Sequence, residues 1–342
     1  MAGRHRSRGR AGRGPLIFLL VLILMGTGGA VAYRYATGAS GPSRPVAVDI
    51  PEGATAEDVG GILEDTGVIR SSLAFRLVAQ VRGVGSSLQA GTYRLVTNMT
   101  VSEAFDALDA GPVVETVTAT FPEGLEVDEA AAVASESLGV DGKAFQAAAT
   151  SGAFVLPPYL PQGTATVEGF LFPKTYEFAT EIDEQMVIER LLAQFEEEAA
   201  TLDWSRAGDL GLTPYEAVVV ASLIEREARA PEDRANISAV IHNRLREGMP
   251  LQIDATIQYA LPEGNRILTE EDYELDTPYN TYLHQGLPPT PIASPGLASL
   301  RAALHPADVD YLYFLVVDEE TGRHEFAETY EEFLRLKEQA GL

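Results

Sequence analysis

The 342-residue sequence predicts an α+β protein with two folded parts behind an N-terminal membrane-spanning helix. Three observations carry that reading. An uncharged apolar run occupies 16–33. Short β-rich runs and helical runs mix between 46 and 112, where Gly111-Pro112 closes the first part. Amphipathic helices separated by Pro/Gly-rich loops fill the rest.

Taken in order, residues 1–14 carry five arginines and no acid. They read as a basic tail retained in the cytoplasm, because basic flanks stay inside. Residues 15–34 follow as the span. Its eighteen-residue uncharged core would cover roughly 27 Å, just enough for a bilayer. The competing reading is a removed signal peptide, since Ala30-Val31-Ala32 resembles a cleavage site. Under either reading the body lies outside the cytoplasmic membrane. Residues 35–45 are a Gly/Ser/Pro-rich linker.

A first subdomain is expected over 46–112. Val46 to Ile50 alternates as a strand and stops at Pro51-Glu52-Gly53. Helices are expected at 55–63 and 72–81, and a strand at 91–96. Thr100-Val101-Ser102-Glu103 is a capping-box pattern opening a helix that ends near Leu108. A larger domain is expected over 113–342. It opens with a β-rich run at 113–121 that ends in Pro122-Glu123-Gly124 before a helix at 127–137. This echoes the first strand, turn and helix, as a reused unit or as the same turn chemistry used twice. Further helices are expected at 184–202, 214–230, 236–246, 297–304 and 330–339. A strand is expected at 311–317, with Glu325-Phe326 pairing to it. The stretch 262–296 reads as a long functional loop bearing Tyr273, Tyr279 and Tyr282.

Composition excludes several functions. Beyond the basic tail, 20 Lys and Arg face 50 Asp and Glu, a formal charge near −30. Phosphate backbones need a basic face, so a nucleic-acid partner is excluded. Cysteine is absent, which removes thiol chemistry and thiolate-bound metals. No His-x-x-x-His pair, nucleophile elbow or phosphate loop occurs. His242 reads as structural and His324 as a surface turn residue.

The run at 214–230 is the most informative. Thr213-Pro214-Tyr215-Glu216 combines an N-cap, a proline at the first helical position and a capping-box glutamate. Ala217, Ala221, Ile224 and Ala228 then form a stripe with Glu225 at its edge, and Glu227 sits on the opposite flank. A carboxylic acid on an apolar face has its proton held more tightly, as a general acid requires. The plain alternative is a helix-end glutamate paired with Arg229. In the run 251–256, an extended chain would place Gln252, Asp254 and Thr256 on one side, suited to sugar hydroxyls or to solvent. Tyr279-Asn280-Thr281-Tyr282 adds aromatic rings and an amide.

These strings resemble a known family, the endolytic murein transglycosylases of the MltG (YceG-like) type. The resemblance runs from Glu168-Gly169-Phe170-Leu171-Phe172-Pro173-Lys174-Thr175-Tyr176 through Ala221-Ser222-Leu223-Ile224-Glu225-Arg226-Glu227 and Asn243-Arg244-Leu245. It continues through Gln252, Asp254 and Thr256, Tyr279 to Tyr282, Gly286-Leu287-Pro288-Pro289, Pro295-Gly296, Tyr311 to Phe314 and His324-Glu325-Phe326. Departures from the family pattern fall at Ile253, Ala255, Thr290, Ser294, Ala327 and Phe333.

The resemblance implies a LysM-like subdomain at 46–112 and a catalytic domain at 113–342. It implies Glu225 as catalytic acid and base, with Glu168, Gln252, Asp254, Thr256, Tyr279, Asn280 and Thr281 shaping the substrate cleft. The implied reaction cuts nascent peptidoglycan strands between N-acetylmuramic acid and N-acetylglucosamine, leaving 1,6-anhydromuramyl ends and terminating strands. No cofactor is required, and peptidoglycan synthases are the implied partners. A hydrolytic muramidase and a non-catalytic wall-binding scaffold are the alternatives.

Overall fold

The computed structural model describes residues 37–38, 41–83, 88–113, 115–157, 164–261, 267–318 and 320–341. The expected basic tail and membrane span lie outside these residues, as does part of the linker. Among the described residues no helix is long and apolar enough to cross a membrane. The fold is α+β, in two compact units that divide between Glu115 and Thr116.

The first unit pairs β1 (Pro45–Ile50) with β2 (Gly91–Val96) in antiparallel register, Val48 opposite Tyr93. Helices α1 (Ala56–Asp65), α2 (Ser72–Arg82) and α3 (Val101–Asp109) complete it. Thr55 and Thr100 both close capping boxes, satisfying amides that a helix start leaves unpaired. Phe75 and Phe105 stack at 4.2 Å in a core with Leu63, Tyr93 and Leu95.

The second unit begins with β3 (Thr116–Phe121), antiparallel to β4 (Lys174–Ala179). Between them lie α4 (Val127–Leu138) and α5 (Gly142–Ala149). Next come α6 (Glu184–Ala199), the short α7 (Ser205–Asp209) and α8 (Pro214–Glu227). A 3-10 turn at Pro231–Asp233 leads into α9 (Arg234–Glu247), followed by α10 (Asp254–Ala260). α11 (Leu297–Leu304), the hairpin of β5 (Tyr313–Asp318) and β6 (Arg323–Ala327), and α12 (Tyr330–Ala340) end the chain. Both Pro-Glu-Gly turns place their glycine in the left-handed region, φ +74° at Gly53 and +80° at Gly124.

Three expectations are corrected. The run 251–256 is not one extended strand. Gln252 turns at φ +52° and Asp254 opens α10, so Gln252, Asp254 and Thr256 do not share a face. α8 is not amphipathic, because every residue from Ala217 to Ile224 is buried. A helix that is apolar all round belongs inside the core. His324 is buried beside Asp233, Nδ1 to Oδ2 3.0 Å, rather than exposed in a turn. Of the long loop 262–296, the described part from 267 holds only the 3-10 turn Asp272–Glu274 before α11.

Gly169 gives a stability prediction. Its φ is +86°, and an added Cβ would collide with the Pro291 ring. Gly169→Ala is expected to cost on the order of 3 kcal/mol, from left-handed strain plus overpacking. A urea midpoint equal to wild type would refute it.

Candidate active site

The site is built on the C-terminal end of α8. Pro214 and the Thr213 capping box start the helix, and its apolar middle anchors it among α9, α10 and α11. At Glu225 the helix leaves the core. Three successive side chains, each turned about 100° from the last, then meet different surroundings.

Glu225 is held by two partners. Its Oε2 accepts the Gly296 N–H at 2.8 Å, at the start of α11. Its Oε1 lies 3.5 Å from Arg234 Nη2, with only 6% of the Glu225 side chain exposed. Arg226 donates to the Gly124 carbonyl at 3.1 Å. That turn is itself stitched to the segment before α11 by Gly124 N–H to Ser294 O (2.9 Å) and Ser294 N–H to Leu125 O (2.8 Å). Glu123 lies beside them, and burial, reinforced by the Glu225 charge, raises its pKa. Glu225 and Arg226 therefore tie α8 to the Glu123-Gly124 turn and to α11.

Glu227 faces the other way, into a cavity of about 470 Å³ shared with Gln252, Asp254 and Tyr282. Burial pushes its carboxyl up to about 7, with the neighbouring Asp254 charge as the second cause. Arg226, Arg229 and the Ala255 N–H oppose that rise. Asp254 is oriented by two phenols: Tyr282 Oη donates to Oδ1 at 2.6 Å, and Tyr273 Oη lies 3.3 Å from both oxygens. Burial and Asp254 raise both phenol pKa values, so the tyrosines stay donors.

The rest of the cavity is aromatic and aliphatic. Tyr313, Phe314, Leu315 and Val316 of β5 form one wall, and Tyr330, Phe333 and Lys337 of α12 another. Phe333, one of the family departures, stacks on Tyr313 at 5.4 Å. Arg244 lies beneath, beside Tyr313 at 5.3 Å, and donates to Leu312 O and Leu251 O at 2.7 Å each. Rings with a few fixed polar groups present the mixed surface that a sugar ring, apolar on its faces and polar at its edges, can use.

The structure thus brings together Gln252 and Asp254 of the expected residues and separates Glu225 from them. Glu225 borders a different recess, with Glu123, Gln258 and Ile267. Thr256, Asn280 and Thr281 do not face the cleft. They are 0%, 0% and 2% exposed and they shape the loops. Thr256 Oγ1 meets Thr281 Oγ1 at 3.0 Å, and Thr281 also accepts the Ile253 N–H at 3.0 Å. Asn280 donates to Tyr273 O and Leu275 O at 2.9 Å each, which sets the tyrosines against Asp254.

Glu168 and Tyr279 line a second cavity of about 370 Å³ with Glu126, Tyr259 and three threonines. Glu168 accepts the Val127 N–H at 3.0 Å and the Gly169 N–H at 3.2 Å. Burial, with the nearby Glu126 as a further cause, pushes it up to about 8. Tyr279 Oη pairs with Thr290 Oγ1 at 2.8 Å. Among the described residues no cluster of His, Asp and Glu could hold a metal ion. The cavity of about 470 Å³ is also lined by Glu227, Tyr282 and Arg244, which were not among the expected site residues. The signal for Glu227 was its position 200° around α8 from Glu225, which has meaning only once the surroundings of α8 are known.

Comparison with known proteins places the chain. A model of the YceG-like family matches residues 48–339. The chain is 32% identical over 308 residues to the endolytic murein transglycosylase of Bacillus subtilis, spanning 86% of this chain and 84% of that one. It is 31% identical over 350 residues to the endolytic murein transglycosylase of Streptococcus pneumoniae R6, spanning 92% of this chain and 63% of the relative. A crystal structure of a YceG-like protein from Listeria monocytogenes matches with a TM-score of 0.57 at 29% identity, over 86% of this chain and 99% of that one. With a match that runs from β1 into α12, the chain belongs to the YceG-like family.

Proposed function

We propose that this protein is an endolytic lytic transglycosylase of peptidoglycan, with Glu227 as its acid and base. The observation that carries the reading is a recessed carboxyl, pushed up to about 7, facing an aromatic-walled cleft beside Asp254. A group of that acidity is populated in both protonation states near neutral pH, as a residue that first gives and then takes a proton must be. The names of the relatives support the substrate class.

The chemistry is balanced by one carboxyl. Protonated Glu227 donates to the oxygen joining N-acetylmuramic acid to N-acetylglucosamine. The bond from the muramyl anomeric carbon to that oxygen breaks, and positive charge develops on the carbon. The muramyl 6-hydroxyl closes on the same carbon and returns its proton to Glu227. The intramolecular nucleophile has a high effective molarity and makes a second catalytic carboxylate unnecessary. In this reading Gln252, Asp254 and Tyr282 contact substrate. Thr256, Asn280 and Thr281 position them, and Glu168 and Tyr279 belong to the neighbouring cavity. The anchor at 15–34, a LysM-like role for the first unit, strand termination and synthase partners complete the proposal, supported by the sequence pattern and the family resemblance.

The test is digestion of purified sacculi and uncrosslinked glycan by the full chain, with new ends identified by mass spectrometry. Anhydromuramyl ends are expected. Reducing ends would instead support a hydrolytic muramidase, a reading that the presence of Asp254 in the same cavity keeps in play.

The pH dependence follows from the sign of the Glu227 shift. An acid must be protonated to act, so cleavage is expected to fall as pH rises through about 7. Asp254→Asn removes a neighbouring charge that raises the Glu227 pKa and keeps an oxygen for Tyr282. The alkaline limb should then move to lower pH. An unmoved or alkaline-shifted limb would remove Asp254 from this role.

A further inference from the structure

The first unit carries an apolar stripe that its own core leaves uncovered. α2 turns Ala74, Phe75 and Ala79 inward. On its outer side Leu73, Leu77 and Val81 are 56%, 53% and 88% exposed. Four-residue spacing sets them in one line along the helix. Single exposed apolar residues are ordinary, whereas an aligned set marks an interaction surface. Leu77 and Val81 border a groove that Thr37 and Gly38 also line. Arg76 and Arg82 lie on the same helix, which holds no carboxylate, in a body that is otherwise strongly acidic.

The path of the chain limits what can cover this stripe. Thr37 stands four residues beyond the end of the uncharged segment 16–33. Four residues extend at most roughly 14 Å, and the headgroup layer on one side of a bilayer is roughly 5–7 Å deep. If 16–33 spans the membrane, the groove beside Thr37 lies within reach of the headgroups.

We propose that the Leu73, Leu77 and Val81 face of α2 rests on the outer surface of the cytoplasmic membrane, with the lipid bilayer as its occupant. The inference depends on the anchor reading given above. A helix lying in the interface buries its apolar line among acyl chains and sets arginines at the headgroups. Arg76 pairs with Glu57 at 2.6 Å and Arg82 with Asp106 at 3.4 Å. Arg82 also donates to Ser102 Oγ at 3.0 Å and lies over the Phe105 ring at 5.1 Å, whereas the exposed Arg76–Glu57 pair is of the weak kind, so Arg76 is the guanidinium that can exchange onto a lipid phosphate. The net charge of the chain repels a second copy and anionic headgroups alike, so it is the short reach from 16–33 to the groove that selects the bilayer as occupant.

Because the sequence has no cysteine, Leu77→Cys and Val81→Cys each provide a single thiol for an environment-sensitive fluorophore. Val155→Cys, at a position 81% exposed in the second unit, is the control. The full chain is reconstituted into phosphatidylglycerol/phosphatidylethanolamine vesicles containing lipids with headgroup-proximal nitroxides, and its resistance to carbonate extraction is measured alongside. The expected result is a carbonate-resistant chain whose probes at 77 and 81 are quenched at least about twofold more than the probe at 155. A resistant chain with equal quenching at all three positions overturns the inference and leaves the anchor standing. Blue-shifted but unquenched probes mean that protein covers the stripe, which also overturns it. Extraction by carbonate removes the anchor reading and the inference with it.

Discussion

Glu227→Gln is expected to lower the rate of glycan cleavage by about 10²–10⁴-fold, the usual contribution of a positioned acid and base. The substitution preserves shape and removes only the proton the reaction needs. Stability should not fall, because the carboxyl is disfavoured by burial when charged. Its raised pKa favours the folded state below the unfolded value near 4.5, an advantage lost as pH rises through about 7. At pH 8 the glutamine variant is therefore expected to melt no lower than wild type. Glu225→Gln should show the reverse pattern. It removes a largely buried ion pair with Arg234 and should cost about 2 kcal/mol, while folded protein retains most of its cleavage rate. Initial rates of anhydromuramyl formation, together with thermal melts, separate the two. A stable, inactive Glu225→Gln beside an active Glu227→Gln would return the acid to Glu225.

Arg244→Lys is expected to destabilise the protein by about 3 kcal/mol, despite keeping the charge. Arg244 is 7% exposed, and its guanidinium spans two separate strands of chain. Nε donates to Leu312 O just before β5, while Nη1 reaches Leu251 O at 2.7 Å, Pro250 O at 3.3 Å and Gln252 Oε1 at 3.4 Å. Lysine presents its donors from one point and cannot serve both sides at once. The carbonyls left behind are buried, and an acceptor without a partner there is costly. For a unit of this size the melting point should drop by about 6–12 °C. Because Gln252 and Tyr313 border the cleft, KM should rise as well. A melting point within a degree of wild type would show that the fork is dispensable.

Much of the fold was legible where a local rule governs. The capping boxes at Thr100 and Thr213 began helices where their spacing said they would. The runs at 91–96 and 297–304 formed the expected elements. β4 was missed because Lys174–Ala179 follows directly on Pro173 and shows its strand character only when paired with β3. α5 was missed because Gly142 opens it and alanines dominate it, which weakens any periodic pattern. The bend at Gln252 is left-handed without being glycine. The Thr281 contacts that hold the segment come from 25–29 residues away in sequence.

By itself the sequence determined the α+β class, the acidic cysteine-free body and the family resemblance. It also pointed to Gln252 and Asp254. Only the tertiary structure placed Glu225 and Glu227 in different recesses. Periodicity states the direction of each side chain around a helix axis, and Glu225 and Glu227 both leave α8 at its end. What lies in each direction depends on segments distant in the chain. Gly296 and Arg234 hold one carboxyl, whereas Asp254 and the β5 wall surround the other. The acidity of Glu227 arises from that burial and that neighbouring charge, neither of which a single helix contains.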